Sequence, residues 1–337
     1  MRRPLRLAAQ AVVPVSVHSR RADSVPTPTP ARVGEVRKVI GGLEVRVTAV
    51  GCRIAIPDDP AYRPFIDFEG LRTGPRGDIS IHVFADSTPS VEGLPEVFDN
   101  DETWKMYRAD GGYVLSFSGN GLPPREHILV RADSGTRTVS VHCLDVMPGA
   151  PEEPPLVFDP VRYPLDQILL MNHMACRGGI IVHSAGFSLD SAGLVFAGMS
   201  GAGKSTMARI IAANAPEAKP LSDDRIVLRM MEGRWRAYGT PWPGEAGAAA
   251  RGWAELRALF FLARDSAHRV EPLSPAQALK RLFPVVSCPW YDRDRLPGVL
   301  DTCERLVAQI PCFELRFAPT PGVVTLLRDF VLLRQVG

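Results

Sequence analysis

From residue 36 to about residue 150, apolar and polar positions alternate in short runs separated by turns. EVRVTAV (Glu44–Val50), DISIHVFA (Asp78–Ala85), GGYVLSFSG (Gly111–Gly119), HILVRAD (His127–Asp133) and RTVSVHCLDV (Arg137–Val146) each read as a strand, with Gly, Pro and Asp between them. No stretch of helical period interrupts them, so residues 36–150 are expected to form a β-rich N-terminal domain. After the proline-rich MPGAPEEPP (Met147–Pro155) the pattern changes. PLDQILLMNHMACR (Pro164–Arg177) sets Leu165, Ile168, Leu169 and Met171 at helical spacing behind a proline. GGIIVHSAG and AGLVFAG (Ala192–Gly198) read as buried strands, and STMARIIAANA (Ser205–Ala215) as a helix. RIVLRMM (Arg225–Met231), ALFFLA (Ala258–Ala263) and PCFELRFAP read as strands, while 274–283 and 301–309 read as helices. Alternation of this kind predicts an α/β catalytic-type domain over residues 156–337.

Composition narrows the function classes. The 337 residues are 45% hydrophobic and 23% charged, with 39 basic and 37 acidic side chains and a net charge of +2. That is an ordinary globular balance, with no bulk charge to favour nucleic acid or a membrane surface. No apolar run approaches the roughly 20 residues that span a bilayer. Six cysteines stand singly, without metal-site spacing or disulfide-scaffold density, which fits free thiols in a reducing, cytoplasmic setting. The arginine-rich start and the VPTPTPA linker (Val25–Ala31) predict a disordered leader and linker over 1–35. Only five of the basic residues are lysines, so a lysine in a special place carries weight.

One lysine stands in such a place. GMSGAGKST (Gly198–Thr206) fits the pattern G-x-x-x-x-G-K-[ST], with a buried strand running in and a helix running out. Glycines let successive N–H groups turn around phosphate oxygens, and the helix start adds positive potential. In this reading Gly198, Ser200, Gly201, Ala202, Gly203, Lys204, Ser205 and Thr206 line an ATP site. Lys204 reaches the β/γ-phosphates and the Ser205 hydroxyl ligates Mg²⁺. Asp223 and Asp224 follow 19 and 20 residues after Lys204, at the head of a strand, where an acid can hold a metal or orient an oxygen. His183 lies 21 residues before Lys204 in the preceding strand; on its own, such a histidine reads as a core residue.

The stretch from His183 to Arg225 resembles the catalytic core of the HPr kinase/phosphorylase family, whose P-loop domain is related in fold to phosphoenolpyruvate carboxykinase. That family has a strand ending in His, a P-loop lysine 21 residues later, and an Asp-Asp-Arg. The resemblance implies that His183 and Asp224 assist proton transfer, with Asp224 as base and Asp223 near the metal. The lysine-to-Asp spacing is one residue longer than in the HPr enzymes, which leaves open which Asp is the base. Thr206 stands where those kinases usually carry Glu. FPVVSCPWYDRDR (Phe283–Arg295) replaces the segment tied to the reverse reaction, so a kinase without phosphorylase activity is expected.

The whole layout is similar to HPr-kinase-related proteins of peptide-modification clusters, some of them lasso-peptide kinases acting on a peptide serine. From that likeness GTPWPGE (Gly239–Glu245) joins the site, with Glu245 as a second metal acid or a surface residue. Arg251 and Arg281 are candidate partners of the transferred phosphoryl group. The expectation is an ATP- and Mg²⁺-dependent kinase acting on a serine hydroxyl of a peptide or small protein. A small-metabolite kinase and an ATP-switched peptide-binding module are the alternatives, and the likeness leaves a homo-oligomer open.

Overall fold

The computed structural model describes residues 31–67, 77–85, 90–118, 126–144, 146–147 and 152–335. Most of the expected leader, residues 1–30, and part of the proline-rich segment, residues 148–151, lie outside them. Residues 31–33 already form strand.

The front half contains β1 (Ala31–Val33), β2 (Glu35–Ile40), β3 (Leu43–Val50), β4 (Arg53–Ile56), β5 (Ile66–Asp67), β6 (Ile79–Phe84), β7 (Glu96–Asp99), β8 (Trp104–Ala109), β9 (Gly112–Ser118), β10 (Glu126–Asp133) and β11 (Thr138–Cys143). A short β12 (Leu156–Phe158) joins β1 and β4 in a three-stranded sheet; the others form a nine-stranded one in the order β5-β2-β3-β6-β11-β10-β9-β8-β7. Alternation works as expected. Val45 and Val47 on β3, and Ile79, Ile81 and Val83 on β6, are buried while their neighbours are half-exposed. The sequence pattern did not reveal that β6 pairs in parallel with both β3 and β11. Alternation fixes a strand's face but not its neighbours.

The rear half runs α1 (Leu165–Ala175), β13 (Gly179–Leu189), β14 (Ala192–Ala197), α2 (Lys204–Asn214), β15 (Lys219–Ser222), β16 (Arg225–Met231), β17 (Arg234–Tyr238), β18 (Trp253–Arg264), β19 (Arg269–Pro272), α3 (Pro275–Leu282), β20 (Val286–Ser287), α4 (Leu296–Gln309), β21 (Cys312–Phe317) and α5 (Gly322–Gln335). Its strands form one sheet, in which β13 pairs with β14, β14 with β18, β18 with β17, β17 with β16 and β16 with β13, closing a ring. Helices α3 and α4 pack on Ile180 and Val182 of one face. Helices α2 and α5 pack on Ala185 and Phe187 of the other. Buried on both sides, β14 reads as an unbroken apolar run rather than an alternating one.

The front sheet covers the rest of that second face. One apolar cluster runs from Val36, Ile40, Val45 and Phe65 to Ile168 of α1, Ile181 of β13 and Val227 of β16, across the proline-rich segment. Helix α1 is buried on nearly every side between the two halves. The β2–β3 turn, Gly41–Gly42, presses on Val227 and Tyr238, and Arg229 donates to both of its carbonyls at 3.2 and 2.9 Å. A Cβ at Gly42 would stand 2.5 Å from the Tyr238 ring.

These layers place His183. Successive inward residues of β13 are Ile181, under the front sheet, His183, and Ala185, under α2. The histidine therefore sits at the seam between the front half and helix α2.

Candidate active site

The loop between β14 and α2 has the conformation its glycines permit. Gly201 and Gly203 adopt φ of +81° and +104°, and a Cβ at Gly203 would come within 2.9 Å of the Phe317 ring. No side chain caps α2 and no acid occupies its first turn, so its leading N–H groups keep their capacity for an anion. Lys204 is buried, and its Nζ donates to the carbonyls of Gly198 (2.9 Å) and Met199 (3.1 Å). Among the described residues no carboxylate pairs with it. Burial brings its ammonium down to about 8, with Asp224 opposing and Arg225 adding to the fall. Ser205 and Thr206 follow in the first turn, half-buried, while Ser200 and Gly201 are exposed and Ala202 is half-buried.

Beside this loop, β13 and β16 set His183 opposite Arg225. The Asp224 carboxylate lies between them, with one oxygen 3.0 Å from His183 Nε2 and the other 3.0 Å from an Arg225 guanidinium nitrogen. Burial works against the Asp224 charge, yet the His183 hydrogen bond and the charges of Arg225, His183 and Lys204 hold its carboxyl below the usual range. Burial lowers the His183 imidazole, Arg225 and Lys204 lower it further, and the Asp224 hydrogen bond opposes them. Near neutral pH the pair is therefore a carboxylate accepting Nε2–H from a neutral imidazole.

Asp223 points elsewhere. Its carboxylate is buried and accepts the backbone N–H groups of Gly244 (2.9 Å), Ala246 (2.7 Å) and Ala248 (3.0 Å). This acid folds the GTPWPGE segment around itself, with two of the backbone donors on Oδ1 and one on Oδ2. Glu245 stands on the surface, 79% exposed, 3.5 Å from Arg209 of α2. Arg251 is exposed just past the strand-like pairing of 248–250 with 221–223. Arg281 is held by Glu314 of β21, which also takes Arg316. The fold thus brings together Lys204, Ser205, His183, Asp224 and Arg225, and sets Asp223, Glu245 and Arg281 to other partners. Among the described residues no group of three or more His, Cys, Asp or Glu could hold a metal by itself.

Two further residues belong to this neighbourhood. Tyr163, half-exposed, has its hydroxyl pushed up to about 12, first by burial, with Arg225 pulling it down and Asp224 and Asp166 pushing it up. Asp166, wholly buried, accepts from Tyr62 Oη (2.8 Å) and Trp242 Nε1 (3.1 Å). Burial pushes its carboxyl up to about 6, against the pull of Lys38, Tyr62 and Trp242. No local pattern in the sequence marks either residue; their partners lie in other elements. A cavity of about 640 Å³, lined by Asp190, Arg234, Glu255 and Gln309 among others, opens at the end of β14 opposite the 198–203 loop, away from these residues. No helix among the described residues is long and apolar enough to cross a membrane.

No family model matches the chain, and no curated protein matches it. Among solved structures the chain is similar to the HPr(Ser) kinase/phosphatase from Coxiella burnetii, at 16% identity over 46% of this chain and 92% of that one, with a TM-score of 0.26.

Proposed function

We propose that this protein is an ATP- and Mg²⁺-dependent kinase that transfers the γ-phosphoryl group to a serine hydroxyl of a peptide or small protein, in the tailoring of a peptide product. The observation that carries the reading is the ionised Asp224, held between His183 and Arg225 at the seam beside Lys204. The α2 N–H groups and the Lys204 ammonium suit the ATP phosphates, toward which Lys204 turns from its loop carbonyls. Mg²⁺, when bound, neutralises charge on the phosphates. Ser205 fits it as a ligand, whereas the three N–H donors on Asp223 argue against the metal role expected for that residue.

The acceptor enters along the seam, past Tyr163. Its hydroxyl proton passes to an Asp224 oxygen as the new O–P bond forms, and the bond to the β-phosphate oxygen breaks to release ADP. His183 donates Nε2–H throughout and keeps the carboxylate oriented. The metabolite reading shares this core, but the half-exposed Tyr163 between two packed halves favours an extended acceptor.

The test is phosphate tracking with γ-labelled ATP, Mg²⁺ and size-fractionated host lysate. Label is expected in a peptide or small-protein fraction, lost by at least about 100-fold in Lys204→Ala and in Asp224→Asn. Label that persists in Asp224→Asn removes this residue as base, and label confined to metabolites removes the peptide acceptor.

A further inference from the structure

A chain of hydrogen bonds runs from the front half to the backbone of Asp224. Tyr62, which follows β4, donates its hydroxyl to Asp166 Oδ2 at 2.8 Å and accepts the N–H of Tyr163 at 2.7 Å. Asp166 opens α1 and accepts Trp242 Nε1–H, 3.2 and 3.1 Å from its two oxygens. The Trp242 carbonyl accepts from Ser222 Oγ at 3.3 Å, and that oxygen receives the N–H groups of Asp224 and Arg225, each at 3.4 Å. Two residues before Trp242, Thr240 Oγ1 donates to the Arg225 carbonyl at 2.6 Å.

Packing alone would not select this arrangement. Asp166 is a carboxylate removed from water with no cation on it, because the nearest lysine, Lys38, is committed to Asp159 at 2.5 Å and to the Val161 carbonyl. An apolar residue would fill the space at lower desolvation cost. What a carboxylate adds is direction. It grips one donor from the front half and one from the loop that braces the 222–225 turn, with the strength of charge-assisted bonds.

We propose that the β-rich front half is a working part of the catalytic site, holding Asp224 in place through Tyr62, Asp166, Trp242 and Ser222, with Asp166 as the positioning residue. The proposal rests on the reading of Asp224 as the base. It assigns the front sheet a part in catalysis that does not require it to touch ATP. A front half that only covered apolar surface would tolerate loss of the Tyr62 hydroxyl or the Trp242 N–H with no local effect at the turn.

The experiment uses the full chain and three variants that each remove one donor or the charge: Tyr62→Phe, Trp242→Phe and Asp166→Asn. Amide hydrogen exchange is read by mass spectrometry over residues 219–231 and over α2. Phosphoryl transfer is read with a degenerate serine-peptide mixture. In Trp242→Phe and Tyr62→Phe the amides of Asp224 and Arg225 are expected to exchange at least about 10-fold faster, with α2 within about 2-fold. In the same variants kcat falls about 10-fold or more while KM for ATP holds within about 2-fold, and the double variant loses less than the product of the single losses. Asp166→Asn loses the charge and sets an NH₂ donor against the Gln167 N–H or the Trp242 Nε1–H, so it is expected to show both losses, while unchanged exchange over α2 in every variant shows that the fold is kept. Unchanged exchange at 222–225 in both Phe variants overturns the relay. Faster exchange at 222–225 in the two Phe variants, together with a wild-type protein that transfers no phosphate, leaves the relay standing and defeats the kinase reading instead.

Discussion

Two of the five lysines are buried, one in each half, and their surroundings differ. Lys38, on β2 of the front sheet, is wholly enclosed, and its ammonium meets the Asp159 carboxylate at 2.5 Å and the Val161 carbonyl. Lys204, at the head of α2, meets only carbonyls of its own loop, and burial lowers its ammonium to about 8. The first charge has its counter-charge and is finished architecture. The second is held by dipoles at an uncapped helix start, in the field of Asp224, and retains unspent capacity for an anion. Scarcity of lysine marks both places; only the partner tells them apart.

The strongest way to break the contrast is Lys38→Met. It strands a buried carboxylate and is expected to cost about 3–5 kcal/mol in thermal or urea unfolding. Lys38→Met with Asp159→Leu is expected to recover most of that, whereas a partial loss in the single variant alone would mean that Asp159 finds another cation. The next effect is on pH. A lysine with a lowered pKa is cationic below that value and loses its charge as pH rises through it. ATP binding to the free protein is therefore expected to weaken about tenfold between pH 7 and pH 9, and Lys204→Arg to flatten the curve. Isothermal titration at the two pH values decides it. The smallest effect separates the acids. Glu245→Gln is expected to leave ATP-dependent transfer within about 2-fold, because the side chain is exposed and paired only to Arg209. Steady-state rates at limiting Mg²⁺ would expose a metal role for it.

The glycine-rich loop between β14 and α2 was legible because all of it lies in one run, with its strand before and its helix after. His183 and Asp224 needed the family resemblance, since the β13–β16 pairing that unites them joins residues far apart in the chain. Asp223 and Asp224 could not be told apart. In a turn, neighbouring side chains diverge, and which faces the loop at 244–248 is decided by chain that arrives 21–25 residues later. The tie from Tyr62 to Asp166 spans 104 residues and that from Asp166 to Trp242 spans 76, so no window on the sequence contains either. The alternation in the front half gave its buried faces correctly and said nothing of the parallel order at β6.

The Gly41–Gly42 turn bears on protein engineering. Its two residues fit against Val227 and Tyr238 with no room for a side chain, and Arg229 fastens both carbonyls. A chimera that joins this front half to another rear half would therefore have to import that valine, tyrosine and arginine with it. Without them the exchanged sheet would lie on the wrong contour, and a recombination boundary drawn at the proline-rich segment would cut through an interface rather than beside one.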